Sequence, residues 1–313
     1  MNTNNRMKIG LIDVDGHNFP NFALMKISAY HKNNGDIVEW AIDGLFSKHY
    51  DIVYASKIFT FSQDYDYSSI DCDQLIKGGT GYDIKSTLPK EIEDSILMDY
   101  SIYPQYNFSI QFFSRGCIRH CPFCLVREKE GYINSAKVVE LNPKGEWLEI
   151  LDNNFFANPE WRNSADYIIK NNQPIKLHGV DVRIMDEEQA FYLNKFKMKQ
   201  NIHIAWDLPK IDLTEKLKSM IKYIKPYKIT CYVLIGYNST IEQDLFRLQT
   251  LKELGITPFV QPFRDYENKR NPTQYELDLA RWANRMWLFK SMDFKDYSPR
   301  KQFLCKEYIN NKY

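Results

Sequence analysis

Residues 107–124 read NFSIQFFSRGCIRHCPFC. The first ten carry the apolar, aromatic-rich pattern of a buried β-strand and close on a glycine. Directly after them come Cys117, Cys121 and Cys124, in CxxxCxxC spacing with no fourth cysteine beside them. Three thiolates are one short of the four that close a tetrahedral site. The meaning of this shortfall depends on the elements that flank the stretch.

Downstream, strand and helix patterns alternate. WLEILDNNF (147–155) reads as a second strand, followed by a helix from about Asn158-Pro159. IKLHGVDVR (175–183) is a third, followed by the helix DEEQAFYLNKF. IHIAWD (202–207) is a fourth, before DLTEKLKSMIKYIKP. KITCYVLIG (228–236) is a fifth. TIEQDLFRLQTLKELG then has a Thr N-cap and a Gly C-cap. TPFVQPFR (257–264) is the sixth. The class is α/β, and six β/α units in a row predict a partial (β/α)6 TIM-like barrel core over residues 101–265. Functional residues of such a barrel belong at the C-terminal ends of its strands. Residues 266–313 read as a helical C-terminal extension.

Upstream, residues 1–100 have a different rhythm. MKIGLIDV, DIVEW, YDIVYASKIF and DQLIKGG read as strands, and NFALMKISAYHKNNG as a helix ending on Gly35. Strand–helix–strand order predicts a small parallel sheet with Rossmann-like winding. A polar connector near MDYSIYPQY separates it from the barrel.

Composition narrows the function classes. A formal net charge of +1 gives no nucleic-acid footprint. No run approaches the roughly 18 apolar residues of a membrane span, and MNTNNRMKIG has no apolar signal core, so a cytoplasmic protein is expected. Three of the six cysteines cluster, while Cys72, Cys231 and Cys305 are scattered. That is no secreted disulfide framework, and in a reducing compartment a tight cluster points to metal. Structural zinc would need a fourth ligand, and His120 directly precedes Cys121. An iron–sulfur cluster suits the thiolates better: three cysteines hold three irons of a 4Fe–4S cube and leave one iron open.

CxxxCxxC after strand one of six β/α units, with an aromatic, Phe123, before the last cysteine, resembles the radical SAM superfamily. The likeness covers about residues 105–265. It implies that Cys117, Cys121 and Cys124 are the metal ligands and catalytic residues. It implies that the open iron is chelated by the amino and carboxylate groups of S-adenosylmethionine. The reduced cluster then passes one electron to the sulfonium, and the resulting 5′-deoxyadenosyl radical abstracts hydrogen from a substrate that the sequence does not name. A donor such as flavodoxin or ferredoxin would supply the electron.

Beyond the cysteine loop the motifs are degenerate. Where the family often has a glycine-rich motif for the methionine amino group, this chain has Asp152, Asn153 and Asn154. The amide carbonyls of Asn153 and Asn154 can accept from an ammonium; an Asx turn capping the next helix is the structural alternative. Asp181 and Arg183, two apart on strand three, share a face and could grip a carboxylate or ribose, or form a structural rim pair. Asp207, after strand four, suits ribose hydroxyls or an N-cap. Gly236, after strand five, matches a glycine at which the family's backbone approaches adenine, and otherwise is a turn glycine. Gln261, on strand six with Phe263 and Arg264 beyond it, can reach adenine or substrate by position. His178 reads as a packed polar residue and Cys231 as core.

IDVDGHNFPN raises a second possibility. Radical SAM enzymes often carry an N-terminal Rossmann-like cobalamin-binding domain, and histidine-on cobalamin domains have a DxHxxG loop after their first strand. Asp15-Gly16-His17 gives the DxH, but Pro20 stands where the glycine belongs, and the segment is short. KGGTGYD (77–83) resembles the glycine turn of such a domain. A reduced relative of the cobalamin fold is the expectation, with His17 as cobalt ligand or as part of a structural loop. Two alternatives to the main reading follow: a cobalamin-dependent radical SAM methyltransferase, and a non-catalytic metal-cluster-binding accessory protein.

Overall fold

The computed structural model describes residues 6–265 and 269–310. Residues 1–5 of the expected N-terminal domain, and 266–268 and 311–313 of the expected extension, lie outside the described residues. The chain forms two compact units, Met1–Asn153 and Asn154–Tyr313. It is a mixed α/β protein built on parallel strands and helices.

The first unit begins with β1 (Lys8–Asp13), α1 (Phe22–Asn33), β2 (Ile37–Trp40), β3 (Tyr50–Ser56) and β4 (Cys72–Gly78). The four strands form a parallel sheet in the order β2-β1-β3-β4. Asn21 caps α1 by accepting from the Leu24 N–H at 3.2 Å. The helix ends at Asn34, and Gly35 follows in the left-handed region at φ +88°, the position where glycine carries no Cβ penalty. The connection from β2 to β3 is a loop with one short 3-10 turn, and its first residue, Ala41, donates its N–H to the Leu11 carbonyl of β1 at 2.9 Å. A Cβ on Gly10 would meet Val53 at 2.9 Å and Ala41 at 3.2 Å, so β1 must be bare there.

The unit continues with α2 (Lys90–Glu93), β5 (Phe108–Gln111), β6 (Ser114–Arg115), α3 (Val126–Glu130), β7 (Asn134–Ser135) and β8 (Trp147–Ile150). β5 and β8 pair in parallel, and β6 and β7 form a short antiparallel bridge. One hydrophobic core joins Ile9, Leu11, Leu24 and Met25 to Met98, Ile102, Tyr103, Phe108 and Ile110. The polar connector near residue 100 thus buries its apolar members, and the compact units divide at residue 153, beyond the change of sequence rhythm.

The second unit alternates α4 (Trp161–Asn171), β9 (Ile175–Leu177), α5 (Glu187–Lys195), β10 (Ile202–Ala205), α6 (Thr214–Ile221), β11 (Ile229–Ile235), α7 (Ile241–Glu253) and β12 (Thr257–Pro262). α8 (Gln274–Ala283), α9 (Met286–Ser291) and α10 (Lys306–Asn310) complete it. β10, β11 and β12 pair in parallel, and a parallel bridge links Val180, beyond β9, to Ile204. β11 alternates strictly: Ile229, Cys231, Val233 and Ile235 are buried, while Thr230, Tyr232 and Leu234 face the other way. α7 buries Leu248 and Leu251 together with Asp244 and Arg247, all on one face at helical spacing. Capping boxes start α5 at Asp186, α7 at Thr240 and α8 at Thr273. Among the described residues no helix is long and apolar enough to cross a membrane.

Candidate functional site

The cysteine loop belongs to the first unit. Its stem is fixed from both sides: β6 pairs Ser114 with Ser135 and Arg115 with Asn134. Gly116 has φ +81°, and a Cβ there would lie 2.7 Å from the carbonyl oxygens of Gly131 and Tyr132. Only glycine fits so close an approach in that conformation. The Cys117 N–H donates to the Gly131 carbonyl at 3.3 Å, and Arg127 Nη1 donates to the Cys117 carbonyl at 3.0 Å. The first cysteine is therefore anchored by its backbone. Its Sγ accepts from the Arg119 N–H at 3.4 Å.

The other two cysteines lie on the tip, which carries no strand or helix until Val126. The Cys124 N–H donates to the Cys121 carbonyl at 3.0 Å, closing a turn with half-buried Phe123 inside it. Cys117 and Cys121 are half-buried and Cys124 is exposed. Among the described residues no three His, Cys, Asp or Glu side chains are gathered in metal-holding geometry. The donor set nevertheless suits an iron–sulfur group: three soft thiols and no carboxylate between residues 117 and 125. One thiol sits on the anchored stem and two on the tip.

Beneath the stem lies Asp152, 1% exposed. Its Oδ1 accepts from the Phe113 N–H at 2.8 Å and its Oδ2 from the Ser114 hydroxyl. Burial pushes its carboxyl up to about 6, against the lowering pull of those donors. Asn153 is exposed and uses its amide N–H to donate to Glu130 at 3.0 Å. It caps no helix.

In the second unit four of the expected residues come together. Arg183 forms a two-bonded pair with Asp181, Nε to Oδ1 at 2.6 Å and Nη2 to Oδ2 at 3.0 Å. Asn154 Nδ2 donates to the same carboxylate at 3.3 Å. Strand three is shorter than 175–183, because β9 ends at Leu177. Asp181 and Arg183 thus pair across a turn and not along a strand face. Burial raises the Asp207 carboxyl, partly offset by the Leu234 N–H and by the charges of Arg247 and Arg183. Asp207 is no N-cap, since α6 starts seven residues later with Leu213 at its cap.

Gly236 and Gln261 stand apart from that group in kind. Gly236 has φ +76°, and a Cβ would come within 2.3 Å of Glu276 Oε1 and 2.6 Å of Arg270 Nη2. Its bareness makes room for the Arg270–Glu276 ion pair, closed at 2.6 Å. Gln261 is exposed and pairs in register with Leu234. It shares a face with Phe259, whose ring lies 5.1 Å from that of Tyr232, which in turn is 5.3 Å from His203. Cys231 and Cys305 are fully buried, and burial drives both thiols well up, Cys305 to about 12. The His17 ring lies tilted against that of Trp40, 4.2 Å between centroids, and its carbonyl accepts from Tyr106 and Gln105.

Sequence reasoning missed Glu130 and Arg115 at the loop stem of the first unit and, within the second unit, the buried pair of Arg247 and Asp244 near Asp207. Glu130 sits in VREKE, which reads as a solvated helix face. For Arg247 there was a signal, since two charges fall within the apolar stripe of α7. No protein-family model matches the chain, and no curated protein is significantly similar to it.

Proposed function

We propose that this protein is a radical SAM-type enzyme, with Cys117, Cys121 and Cys124 as ligands of a 4Fe–4S cluster. The observation that carries the reading is the loop itself: three thiols in CxxxCxxC spacing, one on a stem clamped directly after a parallel strand and two on an open tip. When bound, a reduced cluster would supply one electron for cleaving S-adenosylmethionine to methionine and a 5′-deoxyadenosyl radical. The chain's own residues bind and orient. Asn154, Asp181 and Arg183 form one hydrogen-bonded polar group beside the half-buried Asp207, which suits the cofactor's carboxylate and ribose hydroxyls. In this reading β5, β8 and β9–β12 are the strands of an open (β/α)6 barrel, and the N-terminal sheet is a reduced Rossmann-like domain. The electron would come from a small donor of the flavodoxin or ferredoxin kind.

Support for a corrinoid is weaker, because the His17 ring already packs against Trp40 and its loop is held by Tyr106. The test is anaerobic reconstitution with iron and sulfide, reduction, and addition of S-adenosylmethionine, with 5′-deoxyadenosine read by mass spectrometry. We expect its formation in the wild type and its loss in the variant with Cys117→Ala, Cys121→Ala and Cys124→Ala together. A wild-type chain that loads no iron–sulfur cluster overturns the proposal.

A further inference from the structure

We propose that Glu130 is a positioning residue that sets the cysteine loop for metal loading; the inference rests on the cluster reading above. Glu130 is the last residue of α3, and its side chain is 15% exposed. One oxygen, Oε1, accepts from Arg115 Nη2 at 2.7 Å. The other, Oε2, accepts from the Gly116 N–H at 2.8 Å and from Asn153 Nδ2 at 3.0 Å. A single carboxylate thus ties the residue before Cys117 to the residue after Asp152, which is to say the start of the loop to the segment that follows β8.

Three features make this more than a surface ion pair. Gly116 is buried, so without Glu130 its N–H would lose its acceptor where water does not readily replace it. Its backbone conformation is left-handed and wedged against residues 131–132, so the stem tolerates no drift without a clash. The charge is balanced as well. A carboxylate beside three thiolates would oppose the gathering of negative charge, but Arg115 neutralises it through Oε1, and its guanidinium lies 4.2 Å from the Phe112 ring. Glu130 therefore supplies acceptor oxygens at the loop stem without adding net charge there. Cys117, anchored next to Gly116, is the ligand whose place it fixes, and the tip cysteines must close onto that place.

The test uses the full chain as wild type, Glu130→Gln and Glu130→Ala, each reconstituted anaerobically with iron and sulfide. Iron per chain, the cluster's visible absorbance and its release rate to a chelator are read beside the melting temperature of the metal-free chain. Outer-shell residues of metal sites are typically worth about tenfold to a hundredfold in retention. We expect release to quicken by about that factor in Glu130→Ala, whose metal-free melt also falls because the buried Gly116 N–H loses its acceptor, and to quicken in Glu130→Gln while the metal-free melt stays close to wild type. Glu130→Gln, which keeps one acceptor oxygen, should fall between. Wild-type release rates in both variants overturn the role of Glu130. If Glu130→Ala does not fold, Glu130→Gln decides: faster release than wild type supports the role, and an equal rate overturns it. If the wild type itself loads no cluster, the cluster reading fails, and this inference fails with it.

Discussion

Replacing Asp152 with Asn should change how stability depends on pH, and the sign can be worked out. Asp152 lies 1% exposed under the cysteine stem, and burial lifts its carboxyl from 3.8 to about 6. The folded chain therefore holds this proton more tightly than the unfolded chain. Below about pH 4 both states are protonated and the site costs nothing. Between about 4 and 6 the unfolded chain ionises first, and stability falls as pH rises. Above about 6 both are ionised, and the folded state carries the whole cost of a desolvated carboxylate. Two units of difference at about 1.4 kcal/mol each come to about 3 kcal/mol. Asn cannot ionise, yet its Oδ1 can accept from the Phe113 N–H and its Nδ2 can donate to the Ser114 hydroxyl, matching the existing bonds. Urea unfolding of wild type and Asp152→Asn at steps from pH 4 to pH 8 gives the difference curve, in which other titrating groups cancel. Asn should gain about 3 kcal/mol on Asp across that range, mostly between pH 4 and 6. A flat difference would refute the argument that burial holds the proton. A curve in which Asp gains as pH rises would show that the two donors outweigh desolvation.

Other outcomes follow from packing. Gly236→Ala places a Cβ 2.3 Å from Glu276 Oε1 in a left-handed conformation, and it should cost about 1–3 kcal/mol in denaturant unfolding; an unchanged midpoint would mean that the Arg270–Glu276 pair moves aside freely. Asp278, fully buried, accepts from Arg300 at 2.6 Å, Tyr308 at 2.7 Å and Gln274 at 3.0 Å. Asp278→Ala should lower stability by about 2–3 kcal/mol and open residues 297–310 to limited proteolysis, whereas a wild-type cleavage pattern would show that the segment is held by its aromatic contacts alone.

The order of elements was legible because short-range physics writes it. β11 shows its two-residue alternation in ITCYVLI, and α7 announces its start through Thr240 and Gln243, three apart. The expected strands at 202–207, 228–236 and 257–264 appear within a few residues of those bounds. Strand three was overextended, because HGVDVR looks β-like residue by residue, yet Asp181 accepts from both the Arg183 backbone and its guanidinium and closes a turn. The shared core of the first unit was not legible. Nothing local in SIYPQYNF says that Ile102 and Tyr103 share a core with Leu11 and Leu24, about eighty to ninety residues earlier. Long-range contacts of this kind leave no periodicity in either partner.

Asn153 shows how a candidate residue can be named from sequence while the orientation of its amide depends on its neighbour. An ammonium needs an acceptor, and an amide offers one only if its carbonyl is not turned away. A carboxylate can only accept, so the contact between Asn153 and Glu130 must be made by the amide nitrogen. That bond fixes which way the amide is flipped, and it leaves Oδ1 on the opposite edge. Glu130, itself held by Arg115 and the Gly116 N–H, therefore does two things at once. It holds the stem that carries Cys117, and it keeps the acceptor oxygen of Asn153 out of its own hydrogen bonds. Under the proposed cluster reading, the carboxylate at the stem of the cysteine loop would thus also orient the Asn153 amide for a cationic group on a cofactor, so a change at Glu130 should disturb both together.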